Sequence, residues 1–234
     1  MKSIKRYETI INEALRSVLE YDTPEGQINE FISFFGKHIG ADRIYIFEDD
    51  VESHVTNNTY EWCAEGIQPQ IDDLQGVNME VIDWWYDSFN EGKSVTISDV
   101  EELKGVHQVS YNMLCYQKVH NVVVSPLRHK GQIRGFFGVD NPPEGDYTAL
   151  TLFLDMIGTM LISFLKIRNT FQKEQYNASM SSYSALSEIY LCMHLINIKT
   201  GKYEEIKNAK HVEKECEELD QENFSKRIYT TMKY

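Results

Sequence analysis

The chain has 234 residues, enough for one large domain or for one domain and part of another. Its 42% hydrophobic content excludes a chain dominated by disorder. The net charge is −13, and the segment from Glu48 to Glu102 holds 15 acidic residues against one basic residue, Lys93. Because phosphate groups are bound mainly by Lys and Arg, we expect neither nucleic acid nor a membrane surface as partner. The acidic segment indicates a solvated surface or, alternatively, attraction of a cationic ligand or partner.

Four cysteines are widely spaced and no CxxC pair occurs, which favours reduced thiols over disulfides or a metal site. They are Cys63, Cys115, Cys192 and Cys216. The first 21 residues mix charged with apolar positions and do not resemble a signal peptide. The longest apolar stretch, Tyr147–Leu165, contains Asp155 together with Thr, Ser and Gly residues. We therefore predict a cytoplasmic location and no membrane span.

Two helices are predicted at the start of the chain. The first carries an apolar stripe with steps of three and four residues, formed by Ile4, Tyr7, Ile11, Ala14 and Val18. The second begins at Pro24, with Thr23 as its N-cap, and ends near Gly40.

Strands are then predicted at Arg43–Phe47 and Thr56–Cys63, followed by a loop from Ile67 to Val81. The loop leads into a short aromatic helix that contains Trp84 and Trp85. Consecutive helical residues point about 100° apart, so these two rings do not share one environment. Either one ring faces a cavity, or one lies in the core and the other on the surface.

A further strand at Lys93–Ile97, a brief helix capped by Asp99 and a helix over Val106–His120 precede the clearest motif of the chain. This motif is a β-hairpin over Val122–Asn141, with two apolar runs separated by a charged break that ends in Gly131.

Three residues of the hairpin carry positional information. Pro126 cannot donate to a strand ladder, which predicts a sheet edge or a bulge. Gly135 and Gly138 leave room above the sheet for another part of the chain or for a ligand.

A long helix capped by Asp146 follows Pro142 and Pro143 and continues past Arg168 to Phe171. Its apolar stripe is formed by Leu150, Leu154, Ile157, Leu161 and Phe164. This stripe and Ile4, Tyr7 and Ile11 of the first helix predict a four-helix bundle across a two-fold axis, and hence a homodimer. The alternative is a helix pair within a monomer.

The last sixty residues predict two strands, Ile189–Asn197 and Lys202–Ile206, around a turn at 199–201, and a Glu-rich helix from about His211. This is too little chain to bury a core of its own. We interpret it as the start of a second module or as a tail that packs on a dimer partner.

The hairpin VVVSPLRHKGQIRGFFGVDNP resembles the last two sheet strands and the following turn of a bacterial GAF sensor domain. The upstream segment Tyr60–Gln70, with its EWC-x-EGI-x-PQ pattern, resembles the GAF domains that precede diguanylate cyclase modules in Gram-positive bacteria. The resemblance covers roughly residues 20–170 and implies an α+β fold with a six-stranded antiparallel sheet flanked by helices. The segment IYLCMHLINIKTGKYEEI resembles the beginning of a PAS-like domain.

The resemblance divides the chain into an N-terminal helix (1–21), a GAF sensor domain with its signalling helix (22–172) and a linker with a partial PAS-like segment (173–234). It implies a ligand pocket, for which seven side chains are candidates. They are Trp62, Trp84, Trp85, His107, Tyr111, Cys115 and Phe137.

Motifs of catalysis and of known GAF ligands are missing from the sequence. It contains no phosphate-binding glycine loop, no GxSxG, no HExxH and no GG-[DE]-EF turn of cyclases. The NKFDE pattern of cyclic-nucleotide sensors and the Cys-His pair of bilin photoreceptors are also absent. We therefore assign no cofactor and expect a small uncharged or cationic ligand if the pocket is occupied.

The sequence thus predicts a sensory or dimerising input module, without catalysis of its own, for a signalling protein that is a diguanylate cyclase. One alternative is a redox enzyme of the sulfoxide reductase type, which would use Cys63 or Cys115. The other is an interaction scaffold without a ligand.

Overall fold

The computed structural model describes residues 2–143, 147–187, 193–196 and 203–207. The chain divides into two compact units, Met1–Asn169 and Thr170–Tyr234. The first unit contains a six-stranded antiparallel sheet with the strand order β3-β2-β1-β6-β5-β4, which confirms the predicted α+β class and strand number. The strands are β1 (Arg43–Asp50), β2 (Val55–Cys63), β3 (Val77–Asn78), β4 (Val95–Ile97), β5 (Val122–His129) and β6 (Gln132–Asp140).

Helices precede, interrupt and follow the sheet. They are α1 (Lys2–Ser17), α2 (Pro24–Ile39), α3 (Asp83–Asn90), α4 (Gln108–Tyr116) and α5 (Tyr147–Ser187), with 3₁₀ helices at Val18–Glu20, Met79–Ile82 and Val100–Leu103. The predicted start of α2 is confirmed, because the Thr23 side chain accepts a hydrogen bond from the Gly26 N–H at 3.2 Å. The helix ends at Gly40 in the left-handed conformation, at φ 80°.

The predicted hairpin is β5 and β6, joined at Lys130 and Gly131. Both turn residues have positive φ, 51° and 78°, as a two-residue turn of type I′ requires. The register of the two strands shifts between Pro126 and Arg128, which confirms the bulge predicted at the proline.

The sheet has two buried faces, because successive strand residues point to opposite sides. One face, which we call the helical face, carries Ile44, Ile46 and Phe137 and belongs to one core cluster with residues of α1, α2 and α5. The other, the cavity face, carries Tyr45, Phe47 and Phe136 and belongs to a second cluster with residues of α3 and α4.

Helix α5 supplies the apolar stripe that closes the helical face. Leu154, Ile157 and Leu161 are fully buried there. By length and composition alone, α5 is also the one helix in the described part of the chain that could cross a membrane, over Tyr147–Ser182. The apolar stripe of α5 is buried in the core of the first unit, as is usual for a helix that packs against a sheet.

Of the second unit, the structure describes the end of α5 and two antiparallel strands, β7 (Met193–Ile196) and β8 (Tyr203–Lys207). They lie within or beside the strands predicted for this part of the chain. The turn predicted at 199–201, the helix predicted from His211 and the cap predicted at Asp146 lie outside the described residues.

Candidate functional site

A small cavity of about 40 Å³ lies on the cavity face, between the sheet and the helical segments that follow β3. We call it the central cavity. Its sheet side is formed by Tyr45, Phe47 and Phe136, and its helical side by Trp85, Met113 and Leu114, with Leu74 and Val77 at the loop before α3. A buried space bounded by aromatic and aliphatic side chains is the usual form of a small-molecule site.

The aromatic side chains of this region pack in defined geometries. Phe47 and Phe136 are stacked with ring centroids 4.6 Å apart, and Trp85 meets Phe136 edge to face at 5.5 Å. Gly138 gives the Tyr45 ring its position, because a Cβ at residue 138 would lie 2.1 Å from that ring. The room predicted above Gly138 is therefore filled by a side chain of the same domain.

Three buried charged side chains border the central cavity: Arg43, Glu61 and Asp140. The Arg43 guanidinium lies 2.8 Å from Asp140 Oδ2 and 3.3 Å from Glu61 Oε1, and all three side chains are at most 4% exposed. We call these residues the charge cluster. Such a group is stable only when each member has close partners, because burial in the protein removes it from water.

The charge cluster also holds the 64–76 loop against the sheet. Arg43 donates to the carbonyl oxygen of Gln68 at 2.9 Å. Glu61 Oε2 accepts the backbone N–H groups of Gln70 and Ile71 at 2.8 and 3.1 Å. The loop therefore depends on side chains that themselves line the central cavity.

Burial raises the pKa of Asp140 to about 6, although the Arg43 guanidinium and the Tyr45 hydroxyl oppose this shift. The pKa of the Tyr45 hydroxyl is raised as well, by burial first and then by the Asp140 carboxylate. A carboxyl group with a pKa this close to neutrality is a recognised feature of functional sites.

A second, larger space of about 490 Å³ lies beside the charge cluster, and we call it the outer cleft. Arg43, Gln117 and Asp140 line both this cleft and the central cavity. The remaining boundary of the outer cleft comes from the 64–76 loop and from residues near 116–120. The charge cluster thus separates a solvent-facing cleft from the interior cavity.

Helix α5 is fixed to the far end of β1 by a paired hydrogen bond. Arg168 donates from Nη1 and Nη2 to the two carboxylate oxygens of Glu48, each at 2.7 Å. The guanidinium also lies over the Tyr60 ring, 5.5 Å from its centroid. Glu48 is held in turn by the Thr59 hydroxyl at 2.7 Å.

The structure brings one of the seven predicted pocket residues to the central cavity, namely Trp85. Trp62 and Phe137 contribute to the core cluster of the helical face. Trp84 stacks on His107 with centroids 4.3 Å apart and donates its indole N–H to Ser110. Tyr111 donates to Glu101, and Cys115 is exposed on α4.

The residues predicted for a dimer bundle are mostly buried within one chain. Ile11, Leu150, Leu154, Ile157 and Leu161 are at most 3% exposed. Tyr7 and Phe164 pack partly buried against the same core cluster, and Ile4 is 42% exposed.

The charge cluster and Phe136 are functional candidates that the sequence reasoning missed. Glu61 lies between two aromatic residues of β2, and Asp140 ends an apolar strand. Charged residues within such strands are rarely buried without a partner, and this could have indicated the charge cluster from the sequence. Over the residues described, no group of three or more His, Cys, Asp or Glu side chains could hold a metal ion.

Comparison with solved structures, and not with sequences, identifies the fold of this chain. No protein-family model and no curated protein matches the sequence. Among solved structures, the GAF domain of a phosphoenolpyruvate-protein phosphotransferase from Coxiella burnetii matches with a TM-score of 0.57 at 11% identity, over 73% of this chain and 98% of that one. The fold is a GAF fold.

Two further structures share it. JSC1_58120g3, in its far-red absorbing dark state with bound biliverdin IXa, matches with a TM-score of 0.56 at 13% identity, over 68% of this chain and 99% of that one. Free methionine-R-sulfoxide reductase from Neisseria meningitidis, in complex with its substrate, matches with a TM-score of 0.54 at 12% identity, over 71% and 92%. At these identities the GAF fold alone is shared.

Proposed function

We propose that the first unit is a sensory GAF module that binds a small molecule in the central cavity and transmits the bound state through α5. The observation that carries this proposal is the double role of β1. Its residues alternate between the two faces of the sheet, and near its C-terminal end the strand carries the Glu48 carboxylate that binds Arg168 of α5.

Alternate residues of β1 face the central cavity and the helical core. Arg43, Tyr45 and Phe47 line the central cavity. Ile44 and Ile46, between them, pack in the core cluster that contains α5, and the next residue, Glu48, binds Arg168. A ligand that displaces the cavity residues therefore acts on the same strand that positions α5. Such a ligand would shift the balance between two positions of the helix by its difference in affinity for them.

A thermal-shift screen of a metabolite library tests the proposed function. A compound that binds only the folded chain raises its free energy of unfolding, by about 2.7 kcal/mol at a concentration 100 times the Kd. The matched control is Leu114→Phe, which enlarges a buried side chain of the central cavity and should abolish the shift. If no compound class stabilises the wild type, the chain is an interaction scaffold and the proposed function is wrong.

We further propose that the module acts as a homodimer. With the predicted stripe buried, the exposed large apolar side chains of α5 within the first unit are Leu152, Met156 and Ile167, which are 62%, 45% and 54% exposed. Their spacing places them within about 60° of one another around the helix axis, as the geometry of 100° per residue requires. A second copy of the same face would cover them.

For the whole protein we propose a cytoplasmic diguanylate cyclase in which this chain is the input part and the PAS-like segment connects it to the output. The support is the resemblance of the Tyr60–Gln70 segment and of the hairpin to GAF domains of such proteins. The test is incubation of the full-length protein with GTP and measurement of cyclic di-GMP. No formation of cyclic di-GMP under any ligand condition would reject this assignment.

A reductase function is the second candidate, suggested by the sulfoxide reductase among the structural neighbours, but the Cys63 thiol does not favour it. Burial raises the pKa of the Cys63 thiol, and the Glu61 carboxylate adds to this effect. A redox-active cysteine requires the opposite shift. Alkylation of Cys63 at pH 7 should accordingly be slow. Rapid labelling of this thiol would restore the reductase as a candidate function.

A further inference from the structure

Residues that line the central cavity hold three buried polar atoms without hydrogen-bond partners among the described residues: the indole Nε1 of Trp85, Oδ1 of Asp140 and Nε of Arg43. Arg43 Nε lies 3.3 Å from Glu61 Oε1 in an ion pair, which leaves the atoms of Trp85 and Asp140 for consideration. Both residues line the cavity, and they are 3% and 2% exposed. Buried polar atoms are nearly always paired, because an unpaired one costs about 1–3 kcal/mol. The cavity thus offers one unused donor and one unused acceptor.

The other polar groups of the charge cluster have partners, although Arg43 Nε has only its ion pair with Glu61 Oε1 and no hydrogen bond. Asp140 Oδ2 receives Arg43, and Glu61 Oε2 receives two backbone N–H groups. The Trp84 indole, one position before Trp85, donates to Ser110 at 3.1 Å. Among the buried polar atoms of the cavity-lining residues, Trp85 Nε1 and Asp140 Oδ1 therefore lack a hydrogen bond, and Arg43 Nε is directed to Glu61 by its ion pair.

We infer that the central cavity selects a small uncharged molecule with a carboxamide, urea or lactam group, whose oxygen accepts from Trp85 and whose N–H donates to Asp140. This inference rests on the proposed function and specifies its ligand. The carbon skeleton of the molecule would lie against the aromatic rings of Phe47 and Phe136.

Charged molecules fit the same site less well. A carboxylate would approach Asp140 and Glu61, and like charges in a buried site repel strongly. An ammonium group carries three N–H donors, whereas Asp140 Oδ1 is one unused acceptor. An amide needs one donor and one acceptor to be satisfied, which the cavity supplies.

The dimensions restrict the ligand further. A water molecule needs about 10–15 Å³ of such space, so the central cavity, at about 40 Å³, holds only a few atoms. A molecule the size of pyrrolidinone requires that the side chains between the cavity and the outer cleft move apart. Gln117 lies at this boundary and, being at the end of α4, is the side chain we expect to move.

The tryptophan indoles provide a direct test by nuclear magnetic resonance. The chain has three tryptophans, so the ¹⁵N-labelled protein gives three indole N–H signals, which Trp→Phe variants assign. The probes are isobutyramide and 2-pyrrolidinone, compared with isobutyrate and isobutylammonium. We expect the two uncharged probes to shift the Trp85 indole proton downfield in a saturable manner and to leave that of Trp84 unchanged.

Substitution of the acceptor completes the test. Asp140→Asn should weaken amide binding by about tenfold or more, because it removes a hydrogen bond to a charged group. Asp87→Asn, an exposed carboxylate on the helix of Trp85, is the matched control and should not change binding. If Asp140→Asn does not fold, Trp85→Phe serves instead, and it should abolish stabilisation of the protein by the amides.

The outcomes separate the inference from the proposed function. A saturable Trp85 shift with isobutyrate or isobutylammonium, but not with the amides, would overturn the inference and leave the sensory function standing. Unchanged amide affinity in Asp140→Asn would do the same. If no probe moves the signal, the inference fails, and the metabolite screen decides separately whether the cavity binds anything.

Discussion

Asp140 borders both the central cavity and the outer cleft. Its Oδ2 receives Arg43, whereas its Oδ1 has no partner within the described residues. Buried ion pairs contribute little net stability, since loss of hydration offsets their attraction. We therefore propose that Oδ1 of Asp140 serves ligand binding rather than folding.

The pH dependence of stability should report on Asp140. Its carboxyl group binds a proton more tightly in the folded chain, with a pKa of about 6 against an ordinary 3.8, so this residue favours folding at low pH and loses that effect as pH rises to 7. The shift corresponds to roughly 3 kcal/mol. Urea unfolding between pH 4 and 7.5 should show the wild type losing stability relative to Asp140→Asn by an amount of this order. A relative gain would mean that Arg43 lowers the pKa of this group instead.

Gly138 is expected to tolerate no side chain. An added Cβ would lie 2.1 Å from the Tyr45 ring, which forms one side of the central cavity. Gly138→Ala should therefore destabilise the fold by about 1–3 kcal/mol, as overpacked core positions do. Chemical denaturation measures this, with Gly92→Ala, whose Cβ position is open although its φ is 82°, as a reference for backbone strain alone. An equal or smaller cost at residue 138 would contradict the packing described.

The sequence indicated which types of residue the site contains. It did not indicate which face of the sheet each side chain occupies, because that depends on the exact pairing of the strands. Phe137 was predicted for the pocket, but its neighbour Phe136 lines the cavity and Phe137 packs in the core of the helical face. Successive residues of a strand point to opposite faces of the sheet, so a difference of one position changes the face. Trp62 likewise packs against the core of the helical face, and its neighbour Glu61 lines the cavity. The charge cluster joins residues 97 positions apart, Arg43 and Asp140, and no local pattern contains that pairing.

At the scale of elements, β1 and α5 form the connection between cavity and helix. Their junction is the pairing of Glu48 with Arg168, whose side chains are 23% and 11% exposed. Two parallel N–H···O bonds fix the geometry as well as the distance. The position of α5 relative to the sheet is therefore set by a residue of the strand that lines the cavity.

Arg168→Gln should destabilise the first unit by about 2 kcal/mol, because it leaves the Glu48 carboxylate partly buried without its cation. Thermal or urea unfolding gives the value. Lys93→Gln removes an ion pair that is exposed on both sides and should leave stability unchanged. In addition, hydrogen exchange in α5 should become faster in Arg168→Gln than in Lys93→Gln; equal exchange rates would show that the pair does not hold the helix.

Most elements could be predicted from local signals. The cap at Thr23, the proline bulge at Pro126 and the turn ending at Gly131 each have a short-range physical cause, and each is confirmed. Short elements were harder: β3 has two residues and lies in the segment predicted as a loop. Its pairing with β2 is a tertiary contact that leaves no periodic pattern in the sequence.

At the scale of the whole molecule, α5 has a buried face in the core of one chain and an exposed apolar face that we propose for dimerisation. The stripe predicted for dimerisation closes the core of a single chain, so we propose the second, exposed face of α5 as the dimer surface. Light scattering after size exclusion should show a dimer for the wild type and a monomer for Met156→Arg. Val109→Arg, at an exposed apolar position of α4, should remain dimeric. A wild type that is monomeric at high concentration would reject the dimer.

The claim that the central cavity binds a small molecule is tested most directly by native mass spectrometry of the protein as purified from cells. We expect a reproducible additional mass of a small molecule on the wild type, and its loss in Leu114→Phe. The released compound should be uncharged and carry an amide-type group. An adduct retained equally by Leu114→Phe would place the ligand elsewhere, and a wild type without any adduct that also binds nothing from the metabolite library would contradict the sensory function.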